Sequence, residues 1–586
     1  MAGSPAASRA SRPVSAALVV ILCVAAALRL AGLTWGLPGT THLFSYHPDE
    51  YFALRAALFL AAGDPNPHFF NYPSLYLYLV AAAGSLAGHV PALGSAQAAQ
   101  VPLLLRALTV DARLVTVVLS LGTILTVYGA AARIAGGPAG LFAAAALAVL
   151  PGHVLNSHWA TVDVPLAFLV TLSLYLATRL LDDEGPKAAA LAGLAAGAAM
   201  ATKYNGALAA VMPLAGLVVR VAATRTPAAA KPAAVQALVV LVAMVLAFVV
   251  LSPYVLIDWP SAQRDIAFET RHMREGEYPT QVIDPNGWLF HLRALGCGTG
   301  GSAVLAAYLV LFGYGVWRTR AASAPLAVFC VVWFAAIGAA GVRYARYGVP
   351  LLPLMAIGAG AGLAGLLGRR PRLRASSAMS GAPTPIGRDE ARPHRRAWSG
   401  TFVIGVMALV AVVLLPLASS VLLCSSVASE EDARDTALRD IRKMVPPGAR
   451  VGIVRSVWFD LPPVDYDNGG VLGDNPPWAQ FHRSPYQLVE TGMDAATLEA
   501  ERPQWFVESD FQLADLLRAN DHRAVGFQQA LERRYEVQRS FSRGRSGLLL
   551  WGSCGPEPHE WRYLFLGIRL WRLREAEDSH RSRRNR

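Results

Sequence analysis

Charge is scarce in this chain. Charged side chains make up only 16% of its 586 residues, whereas hydrophobic residues make up 54%. A soluble protein of this length needs more polar surface, so the scarcity predicts a mainly α-helical chain that crosses a membrane several times. The net charge of +12 would suggest a nucleic-acid partner in a soluble protein. Here the basic residues cluster between apolar runs, as the positive-inside rule describes, so we predict no such partner.

Cysteine is scarce as well, and no metal-binding pattern is present. The five cysteines have no zinc spacing, and at most the two outside apolar runs would pair; they are Cys23, Cys330 and Cys424 within the runs and Cys297 and Cys554 outside. His153 and His158 are five residues apart and would not share a helix face, and no H-E-x-x-H pattern occurs. We therefore predict no required cofactor. A divalent ion between Asp49 and Asp163 would be compatible with the sequence but is not needed.

Apolar runs long enough to cross a bilayer of about 30 Å recur at about eleven places. They are residues 13–36, 111–132, 137–155, 164–181, 187–203, 204–221, 233–256, 299–317, 324–342, 347–368 and 400–424. Residues 72–90 are also apolar. If they cross, the loops that contain Asp49 and Asp163 lie on opposite sides of the membrane. If they lie in the interface or re-enter, the two loops share one side.

The distribution of basic residues decides between these two topologies. If residues 72–90 do not cross, the basic loops all fall on the side of Arg9 and Arg12, as expected for cytoplasmic loops. These loops contain Arg133, Arg179, Lys187, Arg220, Arg225, Lys231, Arg318, Arg320 and the arginines of residues 369–396. We therefore predict a membrane module over residues 1–368 in which 72–90 form a juxtamembrane helix. A flexible basic cytoplasmic linker over 369–399 and a last span over 400–424 follow.

The composition changes after the last span. Residues 430–556 predict a small extracytoplasmic α/β domain, with helices at 433–444 and 514–518 and strands at 450–458, 504–508 and 548–552. Residues 557–586 predict a basic tail that is interfacial or disordered. Its aromatic part, residues 561–573, would lie in the membrane interface or pack on the preceding domain.

Two adjacent carboxylates, Asp49 and Glu50, lie in the loop after the first span, in the stretch Ser-Tyr-His-Pro-Asp-Glu-Tyr. Carboxylates near lipid are costly, so they usually mark a functional site. We interpret Asp49 as a catalytic base at the outer membrane surface. The alternative is a helix start, because acidic residues after a proline suit the first turn of a helix.

Further polar residues fall at the same outer boundary in this topology. They are Asp163, Lys203, Tyr204, Arg343, Arg346, Tyr347, Arg106 and Arg113. Taken singly, Asp163 could cap a helix, and Lys203 and the arginines could be anchors at span ends. Taken together, they suit the displacement of a sugar from a lipid phosphate by an acceptor hydroxyl. A carboxylate would take the hydroxyl proton, which is worth roughly 10²–10⁴-fold in rate. The cations would hold the phosphate as it leaves.

An ordered set of motifs over residues 14–370 resembles the glycosyltransferase family 39-like proteins. This group belongs to the GT-C membrane glycosyltransferases and includes protein O-mannosyltransferases and the lipid A aminoarabinose transferase. The matching stretches are His47-Pro48-Asp49-Glu50, Gly63-Asp64-Pro65-Asn66-Pro67, Asn71-Tyr72-Pro73-Ser74-Leu75, Arg113-Leu114-Val115, residues 151–165 with Asp163, Ala201-Thr202-Lys203, and Arg346-Tyr347-Gly348-Val349-Pro350-Leu351-Leu352-Pro353.

The resemblance implies a GT-C-type helical bundle and an inverting transferase that uses a polyprenyl-phosphate sugar. It implies Asp49 as the base and Asp163 as a residue that supports the acceptor or the geometry of the site. Glu50 is a further catalytic candidate. The implied phosphate ligands are Lys203, Arg346 and Tyr347, and the further substrate-binding candidates are Tyr204, Arg113, Arg343, His47 and Tyr72. Relatives carry Lys-Pro-Pro where this chain has Tyr72-Pro73-Ser74, so one phosphate-binding cation of the family is missing here.

The resemblance also implies the bilayer and a lipid-linked donor as partners, with a protein, glycan or lipid as acceptor. It implies a multi-pass protein of the plasma (cell inner) membrane whose active site faces the extracytoplasmic side. The main alternative is a transporter or flippase of lipid-linked saccharides, which would need ionisable residues near the midplane and inverted repeats. Neither is evident in the sequence. A third hypothesis is a non-catalytic relative with a role in assembly.

Overall fold

A computed structural model describes residues 6–96, 100–182, 185–276, 284–368, 400–429, 431–455, 457–465, 484–542 and 558–574. The described chain has two parts, a bundle of helices up to residue 429 and a sheet flanked by helices from residue 431 onward, called here the C-terminal region. The predicted linker 369–399, the predicted strand 548–552 and Cys554 lie outside the described residues.

Most of the longer helices of the bundle overlap the apolar runs. In chain order they are Ala6–Leu30, Glu50–Ala53, Arg55–Ala61, Leu75–Leu86, His89–Gly94, Val101–Ala135, Gly137–Val149, Pro151–Asn156, Asp163–Arg179, Pro186–Thr202, Val211–Thr224, Ala230–Leu251, Tyr254–Ile257, Trp259–Glu275, Gly287–Thr299, Ser302–Thr319, Ala324–Ala339, Leu351–Leu366, Gly400–Leu409 and Leu415–Ser429. Short 3₁₀ turns join several of them, at Tyr204–Ala210, Pro227–Ala229, Arg320–Ser323 and Ala345–Gly348.

The chain is a multi-pass membrane protein by the length and composition of its helices. Among the described residues, five helices are long and apolar enough to cross a bilayer, and four shorter apolar helices accompany them. The predicted count of about eleven spans stays a prediction, because several of the apolar runs are divided. The run 137–155, for example, breaks at Leu150, which is extended before Pro151 begins a new helix.

The segment 72–90 holds a helix, Leu75–Leu86, of 12 residues. A helix of that length is about 18 Å long, well short of the hydrocarbon core of about 30 Å. Helices of similar length, such as Gly137–Val149, lie in runs that were predicted to cross, so the topology of this segment stays a prediction. Two other helices, Trp259–Glu275 and Gly287–Thr299, were not predicted. The first carries too many charges to be found by a search for apolar runs.

The single charge of the first span, Arg29, is fully buried where the first helix meets three others. Its guanidinium donates to Ser120 Oγ (2.5 Å), to the carbonyl of Ala148 (2.9 Å) and to His153 Nδ1 (2.9 Å). A charge inside a bundle has to find polar partners, because lipid supplies none. Arg29 therefore joins the first helix to its neighbours.

The C-terminal region contains a five-stranded sheet with the order β2-β1-β3-β5-β4. Strands β1 (Arg450–Ile453), β2 (Gln487–Glu490) and β3 (Trp505–Ser509) are parallel to one another. Strands β4 (Tyr535–Ser542) and β5 (Gly567–Leu573) complete the sheet with antiparallel pairing. The flanking helices are Ala433–Met444, Ala495–Glu501, Asp510–Arg518 and His522–Arg534, and a 3₁₀ turn spans His559–Leu564.

The predicted helix 433–444 is confirmed at both ends. The prediction of an interfacial or disordered tail over 557–586 is wrong for residues 558–574. Strand β5 lies inside the sheet, between β3 and β4, because Ile568, Leu570 and Trp571 are apolar residues that the sheet buries. Packing on the sheet was the other possibility that the sequence left open. Residues 575–586 lie outside the described residues.

A shared apolar core joins the C-terminal region to the bundle. Trp35 and Trp159 of the bundle pack in one buried cluster with Phe459, Phe511 and Tyr563 of the C-terminal region. Arg434 strengthens this contact, since its guanidinium lies 3.8 Å from the centre of the Tyr46 ring. The sheet is therefore held directly on one end of the bundle.

Close helix packing in the bundle depends on small residues. A side chain built at Gly193 would meet the carbonyl oxygen of Val240 at 2.3 Å, and one at Gly197 that of Met244 at 2.3 Å. These two glycines form a G-x-x-x-G pattern, which lets membrane helices approach closely. The helices Pro186–Thr202 and Ala230–Leu251 meet there.

We predict that Gly197→Ala lowers the thermal unfolding temperature of the detergent-purified protein. The added methyl group would overlap a backbone oxygen, and overpacking typically costs about 1–3 kcal/mol. Gly313→Ala is the matched control, because Gly313 is also in a helix but has nothing within 4 Å of the added carbon. An equal effect of both substitutions would contradict this packing.

Candidate active site between the bundle and the C-terminal region

Four chain segments of the bundle bring their polar residues to one end. Asp49 precedes the helix Glu50–Ala53, and Asp163 begins the helix Asp163–Arg179. Lys203 directly follows the helix Pro186–Thr202, and Arg346 lies in the turn Ala345–Gly348. A negatively charged side chain in the first turn of a helix and a positively charged one after the last turn both interact favourably with the helix dipole.

Neither aspartate caps its helix. Asp49 makes no side-chain capping bond, and no side chain caps the helix that Asp163 begins. Asp163 instead accepts a hydrogen bond from Lys203 Nζ at 2.9 Å, and both side chains are largely buried. Asp163 is therefore not a helix cap, and Asp49 makes no capping bond. Lys203 is not an anchor that extends toward water, because its ammonium group is buried against Asp163.

Arg346 joins three carboxylates that are far apart in the chain. Its Nη2 is 3.2 Å from Asp49 Oδ2, its Nε 3.8 Å from Asp163 Oδ2, and its Nη1 2.9 Å from Glu560 Oε2. The guanidinium also lies 3.9 Å from the centre of the Tyr344 ring. Burial lowers the pKa of Arg346, but the carboxylates of Asp49 and Glu560 outweigh it and raise that pKa above its usual value. Asp49 and Asp163 therefore lie on the same side of the bundle.

Glu560 was not predicted from the sequence, although it belongs to this group. It accepts a second hydrogen bond, from the backbone N–H of Arg346, at 2.7 Å. Burial raises the pKa of Glu560 to about 7. The five charged groups Asp49, Asp163, Glu560, Arg346 and Lys203 thus carry one excess negative charge when all are ionised. Protonation of Glu560 would bring the cluster to neutrality.

Glu50 and Arg113 form a separate ion pair that is fully buried. Arg113 donates to both carboxylate oxygens, at 2.8 and 2.7 Å, and to the carbonyls of Leu33 and Trp35. Burial would raise the pKa of Glu50, but Arg113 holds that pKa below its ordinary value. Because neither side chain reaches the cavity described below, this pair positions the loop that carries Asp49.

The remaining predicted residues divide between the cluster and its surroundings. The rings of Tyr347 and Tyr72 lie 4.4 and 5.7 Å from Lys203 Nζ, so both belong to the cluster. His47 packs on Trp159 beneath Asp49, and burial lowers its pKa to about 4, so it is neutral near pH 7.

Two predicted residues point away from the cluster. Tyr204 donates to the carbonyl of Phe70 at 2.9 Å. Arg343 donates to that of Pro285 at 3.0 Å and lines a different cavity. The structure therefore does not bring Tyr204 and Arg343 together with Arg346.

A cavity of about 480 Å³ opens over this cluster, between the bundle and the C-terminal region. From the bundle it is lined by Pro48, Asp49, Phe52, Tyr344 and Arg346, and from the C-terminal region by Val454, Arg455, Trp458, Phe459, Met493, Phe511, Gln512, Leu516, His559 and Tyr563. Asp49 is the most exposed of the charged side chains in the cluster, at 17%, against 2% for Asp163. It is the carboxylate that a substrate in the cavity would reach.

No group of three or more histidine, cysteine or acidic side chains within the described ranges is placed to hold a metal ion. Between Asp49 and Asp163, the position suggested for a divalent ion, the structure has the guanidinium of Arg346. The positive charge there is therefore supplied by an arginine.

We predict that Arg113→Leu strongly lowers the thermal unfolding temperature. The substitution leaves Glu50 buried without its partner, and removing one member of a buried ion pair typically costs about 3–5 kcal/mol. The control is Arg106→Leu in the same helix, where the side chain is exposed. A positioning role for Arg113 is excluded if the two variants unfold at the same temperature.

A second prediction concerns the pH dependence of stability. The pKa of Glu560 rises from 4.5 to about 7 on folding, so the folded protein binds this proton more tightly than the unfolded chain does. The stabilisation is complete below about pH 4.5 and disappears as the pH rises through about 7. The unfolding temperature of the unmodified protein should therefore fall over this interval relative to that of Glu560→Gln. Parallel pH profiles of the two proteins would refute the shift.

Residues 89–257 match the model of a protein family described as dolichyl-phosphate-mannose-protein mannosyltransferase. A comparison with curated proteins gives no match. Among solved structures, the archaeal oligosaccharyltransferase AglB from Archaeoglobus fulgidus, in complex with an inhibitory peptide and a dolichol-phosphate, is similar with a TM-score of 0.51 at 13% identity. The match covers 91% of this chain and 73% of that one.

ArnT from Cupriavidus metallidurans matches with a TM-score of 0.48 at 19% identity, over 78% of this chain and 84% of that one. The family model and the fold shared with the oligosaccharyltransferase indicate a glycosyltransferase. The resemblance predicted from the sequence is thereby confirmed, and the chain has the fold of the GT-C membrane glycosyltransferases.

Proposed function

We propose that this protein transfers a sugar from a polyprenyl-phosphate donor to an acceptor hydroxyl, with Asp49 as the general base. One observation carries the proposal. The carboxylate of Asp49 opens into a cavity and lies 3.2 Å from the buried guanidinium of Arg346, which also approaches Asp163, the partner of Lys203. A base next to groups that bind phosphate is what displacement of a sugar from a phosphate requires.

The proposed reaction is a single displacement. The acceptor oxygen attacks the anomeric carbon from the face opposite the phosphate, and its proton passes to Asp49. The bond between the anomeric carbon and the phosphate oxygen breaks, and its electron pair leaves with the polyprenyl phosphate. The configuration at the anomeric carbon is therefore inverted, and the reaction needs no metal ion, because Arg346 and Lys203 stabilise the negative charge of the leaving group.

Support for a lipid phosphate as the donor comes from both charge and similarity. Lys203 and Arg346 are held against the rings of Tyr347 and Tyr344 and are oriented before any substrate arrives. Tyr72 occupies the place of the family's additional lysine. Burial raises the pKa of Tyr72, so its phenol stays neutral and can donate a hydrogen bond to a phosphate oxygen. The description of the matched family names dolichyl-phosphate-mannose, and the structure of AglB contains a dolichol-phosphate.

We further propose that the site faces the extracytoplasmic side of the plasma (cell inner) membrane. The support is the placement of basic loops on the other side, which orients polytopic proteins. Residues 1–368 would then form the catalytic membrane module, 369–399 a cytoplasmic linker and 400–424 the last span. The C-terminal region would lie outside the cytoplasm, above the site.

We predict that Asp49→Asn lowers the rate of sugar transfer by roughly 10²–10⁴-fold, the usual contribution of a general base. The unfolding temperature should change little, because the amide keeps the shape of the side chain and Arg346 retains Asp163 and Glu560 as counter-charges. Transfer is followed as release of the polyprenyl phosphate in the presence of a membrane extract as the acceptor source. The control is Asp64→Asn, a half-exposed aspartate in the same loop region, paired with His68. Full activity of Asp49→Asn would remove Asp49 as the base.

A further inference from the structure

The upper wall of the cavity is the carboxyl edge of the parallel strands in the C-terminal region. Val454 directly follows β1, Met493 follows β2 and Phe511 follows β3, and all three line the cavity. In open α/β sheets, ligands bind in the crevice outside the carboxyl ends of parallel strands, where the chain turns into loops and helix starts. The edge of the sheet that would be expected to bind a ligand therefore faces Asp49.

This wall contains a buried hydrogen-bond acceptor, the side-chain oxygen of Gln512, that has no partner among the described residues. Gln512 is 8% exposed, lines the cavity and donates from Nε2 to Asp460 Oδ2 at 3.0 Å. Its Oε1 is buried and has no hydrogen-bond partner among the described residues. Buried polar atoms in proteins are almost always paired. An N–H or O–H group of a bound ligand would satisfy this oxygen.

The remainder of the wall is aromatic. Trp458 is half-buried, and Phe459 lies behind it at a ring-centre distance of 5.3 Å. Phe459 in turn contacts Phe511 at 5.2 Å and Tyr563 at 5.1 Å, so the rings support one another. Aromatic faces carry partial negative charge and attract the weakly positive C–H groups of a sugar ring. Aromatic surface with a few placed polar groups is also the common composition of small-ligand pockets.

The charge of the wall favours a neutral ligand. Its one arginine, Arg455, is paired with Asp460 at 2.6 Å, so the two charges offset each other. An anionic headgroup would find no unpaired cation on this side of the cavity among the described residues. A peptide would be expected to add a strand to an open sheet edge. The outer strands are β2 and β4, whereas Gln512 follows the inner strand β3.

We propose that the C-terminal region binds the acceptor in this wall and that the acceptor is a neutral saccharide. Gln512 Oε1 accepts a hydrogen bond from one of its hydroxyls, and Trp458 stacks on a sugar ring. A second hydroxyl then reaches Asp49 across the cavity of about 480 Å³. The identity of the saccharide as acceptor rests on the proposed transferase function, but its binding does not.

The test is a binding measurement with the purified full-length protein, by isothermal titration calorimetry. The probes are neutral trisaccharides of mannose, galactose and arabinose, and a serine-containing octapeptide. At least one trisaccharide should bind. Gln512→Ala should lower the affinity for that trisaccharide by about tenfold, the loss expected for one hydrogen bond with a buried partner. Trp458→Ala should also lower the affinity for this trisaccharide.

Gln528→Ala is the matched control. Gln528 is also 8% exposed, lies in a helix packed on the sheet and has a buried Oε1 without a partner among the described residues, but it does not line the cavity. It should leave saccharide affinity unchanged. The proposal is overturned if no trisaccharide binds, if Gln528→Ala weakens binding as much as Gln512→Ala, or if the octapeptide binds in a manner that requires Gln512.

The two proposals fail separately. If the unmodified protein releases polyprenyl phosphate from a donor in the presence of a membrane extract but binds no trisaccharide, the acceptor assignment is wrong and the transferase proposal stands. If a trisaccharide binds through Gln512 but no donor is cleaved under the same conditions, the transferase proposal is wrong and the binding site stands.

Discussion

The structure depends on the need to compensate one buried guanidinium, that of Arg346. A charge removed from water is tolerated only with opposite charges and hydrogen bonds around it. Arg346 finds these in three segments that the chain order separates widely, at Asp49, Asp163 and Glu560. The same contacts that neutralise the arginine therefore hold the first loop, a helix start and the C-terminal region in one arrangement. They also leave cationic and anionic groups side by side at the cavity.

The ion pairs Glu50–Arg113 and Asp49–Arg346 lie near the first loop and differ in how completely their carboxylates are buried. Glu50 and Arg113 are both fully enclosed and satisfy each other together with backbone carbonyls, so the pair has no capacity left for a substrate. Asp49 keeps part of its surface open to the cavity. The adjacent carboxylates of the Asp-Glu pair thus divide into one that faces the cavity and one that fixes the loop.

Much of the cluster could be predicted from the sequence because membrane topology is itself encoded locally. The distribution of basic residues assigned sides to the loops, and this alone brought Asp49, Asp163, Lys203 and Arg346 to one boundary. The contacts of individual side chains could not be predicted as well from the sequence. Arg343 is only three positions from Arg346, yet it turns toward Pro285, since a 3₁₀ turn separates the directions of their side chains.

The contribution of the C-terminal region could not be predicted, because it arises from pairing between distant segments. Strand β5 enters the sheet between β3 and β4, and the turn before it carries Glu560 to Arg346. Locally, residues 561–573 show aromatic and aliphatic residues interspersed with arginines, a pattern equally typical of a membrane-surface segment. Likewise, the unpaired oxygen of Gln512 is defined only by the neighbours that folding supplies.

The most direct test of the central claim is to follow the carrier when purified protein in lipid nanodiscs meets a panel of polyprenyl-phosphate sugars and a membrane extract as the acceptor source. We expect time-dependent release of polyprenyl phosphate from at least one sugar donor, with inversion at the anomeric carbon of the product. If no donor in the panel loses its sugar, while liposomes containing the protein move the intact donor across the bilayer, the cluster around Arg346 serves transport and the enzymatic account is wrong.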